Sequence, residues 1–288
     1  MTIETLLYPV HENQQHEGAL LAGELCSREN KHLIVQIFSE SLPVPPMFAG
    51  NIGAAQIWAE RMIEREYKLN DRACQLSEQM YKRGVSAEIK TNLGDGLLID
   101  DVIGAHARYT DLVLMPHYAG AAAEQSFIKR LSHGVLFQSG RPLLVYGETP
   151  PDSLTFQSVV VAWDGQQSAS RTVSAALPLL KSAGTVHVLC INSNENSDVN
   201  SEKEQPVSSG SGLELSAYLA RHQLNVTLHN RDCDGEKTSS VIQTFASEND
   251  VDLIVMGAYG HSRLKERLFG GTTIEMLEQS QHSLLMVH

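Results

Sequence analysis

The stretch that decides the fold is Asp252-Leu-Ile-Val-Met256 followed by Gly257-Ala-Tyr-Gly260-His-Ser-Arg-Leu-Lys-Glu-Arg-Leu-Phe-Gly270-Gly-Thr-Thr273. An apolar run that opens into a glycine-bearing turn and then into helical spacing predicts a buried strand, a turn and a helix. Glycines in such a turn let bare backbone N–H groups approach an anion. Two interpretations fit the turn by itself: a phosphate cradle, or a connection that needs glycine only for its own conformation.

A second glycine pair, Gly270-Gly271, favours the phosphate interpretation. Thr272 and Thr273 follow it directly. Residues of these types can open a helix whose first amides and hydroxyls are directed at the same anion.

The strand pattern of this stretch occurs twice in the chain. Asp111-Leu-Val-Leu-Met115 matches Asp252–Met256 at an offset of 141 residues, and Pro142-Leu-Leu-Val145 matches Ser283-Leu-Leu-Met286 at the same offset. Two matched strands at one offset indicate an internal repeat.

Each repeat is large enough for its own hydrophobic core. The turn residues of Gly147-Glu-Thr-Pro-Pro-Asp-Ser153 are typical of a linker. The sequence therefore predicts two domains, residues 1–147 and 156–288.

Apolar runs alternate with helical patterns through both repeats. The predicted strands are Thr5–Val10, His32–Phe38, Val85–Lys90, Asp111–Met115 and Pro142–Tyr146, then Ser158–Trp163, Thr185–Ile191, Asn225–Asn230, Asp252–Met256 and Ser283–Val287. This alternation predicts an α/β fold of two tandem doubly wound, Rossmann-like domains, each a mainly parallel five-stranded sheet with flanking helices. The longest predicted helix extends from Ile57 to Tyr81, and the polar stretch Asn192–Gly212 is predicted to be a mobile loop.

Composition excludes several classes of protein. With 22 Lys and Arg against 34 Asp and Glu, the net charge of −12 disfavours general binding to nucleic acid or an anionic membrane. The four cysteines are scattered, so neither a disulfide framework nor a Cys-x-x-Cys motif is predicted. No apolar run approaches the roughly 20 residues that span a bilayer, and a cytoplasmic location is expected.

These residues resemble the universal stress protein (UspA-like) family, as a tandem-domain member. The family's nucleotide-binding pattern is Gly, two residues, Gly, nine residues, then Gly-Ser or Gly-Thr. Gly257, Gly260 and Gly270 stand at its glycine positions, and Gly271 stands where the Ser or Thr belongs. The resemblance implies ATP or a related adenine nucleotide in the second domain, accompanied by Mg²⁺.

Further site residues follow from the resemblance. An acidic residue at the end of the domain's first strand contacts the nucleoside in ATP-binding members, and Asp164 matches it; a helix cap or turn former is the alternative role. An apolar residue at the end of the next strand lines the base pocket, which indicates Cys190 or Ile191, although either also suits the core. His261 and Arg263 lie between the glycines and are candidates for phosphate contacts.

The first repeat departs from the pattern. At the same offset, Pro116, Ala119 and Lys129 replace the three glycines. His11, at the end of the first strand, stands in the place that Asp164 has in the second repeat. We therefore predict no ordinary ATP site there. A metal or another small ligand at His11 and His117 is an alternative to two unrelated loop histidines.

The leading hypothesis is a cytoplasmic stress-response protein that senses or regulates through ATP in the second domain. Catalysis is not predicted, because no Walker lysine or nucleophile elbow is present, although slow hydrolysis is compatible with the site. Two other hypotheses are an interaction module with vestigial nucleotide sites and, less well supported, a transferase or hydrolase on the same fold. The resemblance also implies pairing of Leu143–Tyr146 with Leu284–Val287 in an intramolecular pseudo-dimer, with a homodimer as a further option.

Overall fold

The computed structural model describes residues 2–42, 52–94, 98–117, 122–147, 149–192, 212–258 and 271–288. Strands and helices alternate through both repeats, as the hydrophobic pattern predicts. The strands are β1 (Thr5–His11), β2 (His32–Glu40), β3 (Ala87–Gly94), β4 (Leu112–Pro116), β5 (Leu143–Tyr146), β6 (Ser158–Trp163), β7 (Thr185–Asn192), β8 (Val226–Asp232), β9 (Leu253–Gly257) and β10 (Ser283–Val287).

Eight α-helices connect these strands in the part of the chain that is described. They are α1 (Glu17–Arg28), α2 (Ile52–Lys82), α3 (Ile99–Ala107), α4 (Ala122–Gly134), α5 (Gln167–Leu180), α6 (Gly212–Arg221), α7 (Thr238–Glu248) and α8 (Gly271–Gln279). A π-helical segment, Val135–Ser139, continues α4.

The chain divides into two compact units. The first contains residues 3–114 and 121–139, and its strands lie in the order β3-β2-β1-β4. All pairings of β1 with β2 and β4, and of β2 with β3, are parallel. β3 begins two residues later than predicted. Gly84 adopts a φ of +72° in the turn after α2, and the buried residue Val85 still belongs to this connection.

The second unit contains residues 140–288 and a short segment around residues 115–120. Its strands lie in the order β5-β10-β9-β6-β7-β8, and every pairing from β10 to β8 is parallel. β5 pairs antiparallel with β10, with Leu144 opposite Leu285. The fold class is therefore confirmed, whereas the fifth strand of the first repeat lies in the compact unit of the second.

The same aspartate contact opens both repeats. The N–H groups of Glu4 and Thr5 both donate to Oδ2 of Asp111 at 3.0 Å. One repeat later, the N–H groups of Gln157 and Ser158 donate to Oδ2 of Asp252 at 2.7 and 3.0 Å. The offset of 141 residues thus reappears as a matched pair of hydrogen-bonded strand starts.

The core of each unit is formed by the central strands, which are buried on both faces as parallel sheets require. Leu6 and Leu7 of β1, and Leu253 and Ile254 of β9, have no exposed surface. None of the helices within the described residues is both long and apolar enough to cross a membrane.

Candidate functional site

Three predicted site residues lie at one edge of the second unit's sheet. In the parallel register, Met256 is opposite Ala162, and Trp163 is opposite Cys190. The next residues along these strands are Gly257, Asp164 and Ile191. Because the carboxyl ends of parallel strands share an edge, these three residues lie in neighbouring positions. α/β sheets bind their ligands at this carboxyl edge.

Asp164 shapes the turn between β6 and α5. One of its carboxylate oxygens, Oδ1, accepts a hydrogen bond from the N–H of Gln166 at 2.9 Å, and Gly165 follows with φ of +74°. The side chain is exposed at the carboxyl edge. The turn-forming role of Asp164 is therefore observed, and it uses Oδ1. A nucleoside would approach the carboxylate from the solvent side and donate a hydrogen bond to it.

The end of β7 contributes Cys190 and Ile191, both of which are partly exposed. Burial raises the pKa of the Cys190 thiol, so this group is a neutral, weakly polar surface. A Cβ on Gly212, at the start of α6, would lie 2.4 Å from its Sγ atom. The helix therefore begins directly against the strand, and Cys190 packs there while Ile191 lies one residue further toward the edge.

Gly257 has a packing role that the sequence does not reveal. A Cβ at this position would lie 2.6 Å from the backbone nitrogen of Ala169 and 2.7 Å from Oγ of Ser168. Such distances are too short for non-bonded atoms, so α5 approaches the end of β9 only because residue 257 lacks a side chain. The first glycine of the motif is therefore required for the packing of α5, independently of any role in binding an anion.

Gly271, Thr272 and Thr273 form the first residues of α8. Among the atoms of the described residues, none lies within 4 Å of a Cβ placed on Gly271, and residue 271 is exposed. Thr272 is partly exposed, whereas only 3% of the surface of Thr273 is exposed. Of the two threonines, Thr272 is therefore the one whose hydroxyl is accessible, and Gly271 has space for a larger residue.

The second turn of α8 is attached to the start of α7 through Glu275. Its Oε1 accepts a hydrogen bond from Nζ of Lys237, and its Oε2 accepts one from Oγ of Ser239, both at 2.5 Å. Hydrogen bonds from Lys237 and Ser239 lower the pKa of the Glu275 carboxyl. Sequence reasoning missed this residue, because its partners are 36 and 38 residues away and no local spacing links them.

The remaining predicted site residues, Gly260, His261, Arg263 and Gly270, lie outside the described residues. The same is true of residues 193–211 from the predicted mobile loop.

The corresponding edge of the first unit is filled by aromatic side chains. His11 and Phe38 are opposite each other at the ends of β1 and β2. Phe127 of α4 contacts both rings edge-on, with centroid distances of 5.0 Å to His11 and 5.8 Å to Phe38. Phe38 and Phe127 are 1% and 5% exposed, so their rings take the volume between the ends of these two strands.

Arginines from the long helix α2 cover the adjacent loop. Arg65 forms an ion pair with Glu12, just beyond β1, and its Nη2 lies 3.4 Å from Oγ of Ser39 in β2. About two turns further along the same face of α2, Arg72 donates to the backbone oxygen of Gln14. Glu12 and Gln14, in the loop that follows β1, are therefore engaged with arginine side chains of the chain itself.

Lys129 and Arg130, the counterparts of Gly270 and Gly271, lie inside α4. Their backbone N–H groups fall within a helix, where such groups donate to carbonyls one turn earlier. Phosphate contacts from this part of the first repeat are not expected.

The two members of the predicted histidine site have separate hydrogen-bond partners. Nδ1 of His11 accepts a hydrogen bond from the N–H of Asn13 at 3.2 Å, and the backbone N–H of His117 donates to the oxygen of Tyr146 at 2.6 Å. Across the described ranges, no group of three or more His, Cys, Asp or Glu side chains is placed to hold a metal ion. A metal at His11 and His117 remains a hypothesis without structural support.

The second half of the chain matches a family sequence model, and the whole chain resembles solved structures. Residues 155–288 match the sequence model of the universal stress protein family. A universal stress protein from Archaeoglobus fulgidus superposes with a TM-score of 0.65 at 16% identity, covering 99% of this chain and 96% of that one. A putative universal stress protein from Pseudomonas aeruginosa gives a TM-score of 0.60 at 15% identity, covering 99% and 93%. At these identities the likeness concerns the fold, and no curated protein matches the chain.

Proposed function

Because residues 155–288 match the sequence model of the universal stress protein family, we propose that this domain binds ATP or a related adenine nucleotide. We further propose that the protein acts in a cytoplasmic stress response by sensing nucleotide rather than by catalysis. The observation that carries the proposal is the convergence of Asp164, Ile191 and Gly257 at one carboxyl edge of the sheet. A nucleoside at this edge finds a carboxylate acceptor beside an apolar side chain.

The phosphates would be bound by the turn after β9 and by the start of α8. Backbone N–H groups in the first turn of a helix have no partner within the helix, and the helix dipole favours negative charge there. Gly270, Gly271 and Thr272 would supply this surface, with Gly260, His261 and Arg263 in the preceding turn. Glu275 supports the proposal indirectly, since its bonds to Lys237 and Ser239 fix the turn of α8 that follows the proposed phosphate-binding residues.

Mg²⁺ would arrive with the nucleotide. Within the described residues, no cluster of three metal-binding side chains exists at this edge or elsewhere. Mg²⁺ commonly keeps several waters and binds through phosphate oxygens, so such a cluster is not a requirement. The ion would screen the negative charge of the phosphates in a protein whose net charge is −12.

The proposal assigns one nucleotide to each chain, because the corresponding edge of the first unit is filled by Phe127 and Arg65. The antiparallel pairing of β5 with β10 supports the proposed intramolecular pseudo-dimer. A homodimer is an additional possibility within the same proposal.

Equilibrium binding of ATP with Mg²⁺ to the full chain tests the nucleotide site. We expect one ATP per chain and about tenfold weaker binding by Asp164→Asn, which retains an acceptor for the Gln166 N–H but loses the charge. Glu236→Gln, an exposed acidic residue in the β8–α7 connection, is the matched control. Absence of binding at millimolar ATP would refute the nucleotide proposal.

A second candidate function is an interaction module with vestigial nucleotide sites. The observations that favour it are Gly271 in place of a Ser or Thr and the filled edge of the first unit. The rate of phosphate release from ATP distinguishes both candidate functions from an enzyme. We expect the wild type to release phosphate no faster than Asp164→Asn does.

A further inference from the structure

Two histidines on neighbouring strands of the second unit form a close pair. His187 of β7 is opposite Thr227 of β8, two residues before His229, so both imidazoles project from the same face of the sheet. Nδ1 of His187 lies 3.0 Å from Nε2 of His229, and the ring planes are inclined by 48°. Two ring nitrogens are thus directed at each other.

The ring of Phe245, on α7, holds this pair from one side. It contacts His187 and His229 edge-on, with centroid distances of 5.8 and 4.8 Å and interplanar angles of 72° and 64°. Both histidines nevertheless keep partial exposure, and β8 is the last strand in the order of this unit. The two nitrogens are therefore positioned by packing and still accessible from solvent.

The charge nearest to the pair is balanced by a carboxylate. Arg231 lies on the same face as His229, with its guanidinium 5.8 Å from the centroid of Phe245. Its Nη2 is 2.9 Å from Oε2 of Glu248. This ion pair reduces the repulsion that Arg231 would otherwise exert on a cation bound at the histidines.

The spacing of the two nitrogens matches a known coordination geometry. Imidazole nitrogens bind transition metals at about 2.0–2.1 Å, so two of them are roughly 2.9 Å apart in adjacent positions of a square-planar ion and roughly 3.3 Å apart in a tetrahedral one. The observed 3.0 Å lies between these values and is also the length of a hydrogen bond between two imidazole nitrogens, so both rings rotate slightly for their lone pairs to converge on one ion. We propose that His187 Nδ1 and His229 Nε2 chelate a divalent late transition metal ion, Cu²⁺ or Ni²⁺, with Cu²⁺ bound most tightly because it heads the general affinity order for nitrogen ligands.

The proton balance of this site is simple. In the metal-free pair, one of the two facing nitrogens carries the proton of the hydrogen bond. When the metal binds, that proton moves through water to the other nitrogen of the same ring, so each imidazole keeps one N–H and stays neutral. Water completes the coordination, because a chelating pair needs no third protein ligand.

Copper titration of the full-length protein tests the site. We expect one Cu²⁺ bound more tightly than the rest, and about a hundredfold lower affinity in His187→Gln or His229→Gln, since a chelate is reduced to a single ligand. His32→Gln is the matched control, because this half-exposed histidine begins β2 of the first repeat. The electron paramagnetic resonance spectrum of the tight site should show two coupled nitrogens in wild type and in the control, and one in each variant.

A measurement on the wild type guards against unfolded variants. Substoichiometric Ni²⁺ or Cu²⁺ should broaden the imidazole resonances of His187 and His229 before those of the other histidines. The proposal is overturned if other histidines broaden first, if folded variants keep wild-type affinity and nitrogen count, or if Zn²⁺ binds more tightly than Cu²⁺.

Discussion

Gly257 and Ala169 lie so close together that a Cβ on the glycine would be 2.6 Å from the alanine backbone nitrogen. This relationship joins the end of β9 to the first turn of α5, within the motif that the sequence presents as a phosphate turn. It means that the proposed nucleotide binding and the folding of the domain would both depend on the same residue, and a variant at residue 257 cannot separate them.

We predict that Gly257→Ala destabilises the protein by about 1–3 kcal/mol, the usual cost of overpacking, because the new Cβ displaces α5. Gly271→Ala is the control, since its Cβ would meet open space. Urea unfolding should show a lower midpoint for Gly257→Ala and an equal or higher midpoint for Gly271→Ala. Equal midpoints for both variants would contradict the close approach.

Gly271→Ser tests the departure from the family pattern. If the start of α8 binds phosphate, the added hydroxyl supplies a hydrogen bond to a charged group, which contributes about 1.5–3 kcal/mol. We expect ATP affinity to rise about ten- to a hundredfold, measured by equilibrium binding. Gly147→Ser, also in open space, is the control. Unchanged affinity in Gly271→Ser would place the phosphates elsewhere.

Glu275 offers a test of the support beneath this site. Ser239→Ala removes one hydrogen bond to its carboxylate and should weaken ATP binding severalfold without contact between Ser239 and the nucleotide. Ser247→Ala, which affects the far end of α7, is the control. A decrease in both variants would point to general loosening of α7 rather than to the position of α8.

Matched substitutions in the two strand starts test the repeat. Asp111→Ala and Asp252→Ala each leave two backbone N–H groups without their acceptor. We expect each to lower the free energy of unfolding by about 1–3 kcal/mol. Asp152→Ala, in the connection between the repeats, should have a smaller effect in the same urea titration. A neutral result at one of the two sites would show that the contacts are not equivalent.

Acid should destabilise the folded chain through its histidines. Burial lowers the pKa of five of them, His16, His106, His117, His187 and His229. A lowered folded pKa means that the unfolded chain binds more protons, so stability is complete above about pH 6.5 and falls as pH decreases toward the folded values. The urea midpoint should drop between pH 7.5 and 5.5, and less steeply in His106→Gln; an unchanged slope would remove His106 from the cause.

Much of the fold follows from hydrophobic periodicity. β6 and β10 have the predicted bounds, and Asp111 and Asp252 mark the repeat because each immediately precedes a buried strand. The predicted strands also place Asp164 and Gly257 at one edge of the sheet, because the carboxyl ends of parallel strands share an edge. The pairing of β5 with β10 was also expected, on the resemblance and on the exposure of unpaired strand edges.

Contacts between distant residues set the rest. No spacing in the sequence links Glu275 to Ser239, or Gly257 to α5, because these contacts depend on how helices pack across the sheet. The periodicity of α2 predicts a long helix, but it does not show that Arg65 reaches Glu12. Likewise, the loss of glycines in the first repeat does not identify Phe127 as the side chain that takes the space.

The filled edge of the first unit has a thermodynamic consequence. Side chains such as Phe127 and Arg65 are covalently part of the chain, so their contribution to folding is independent of any solute concentration. A nucleotide that binds only the folded second domain stabilises it by RT ln(1 + [L]/Kd), about 2.7 kcal/mol at a concentration of a hundredfold Kd. The two repeats would then differ in kind: the stability of one is independent of nucleotide, and the stability of the other reports the cell's nucleotide level.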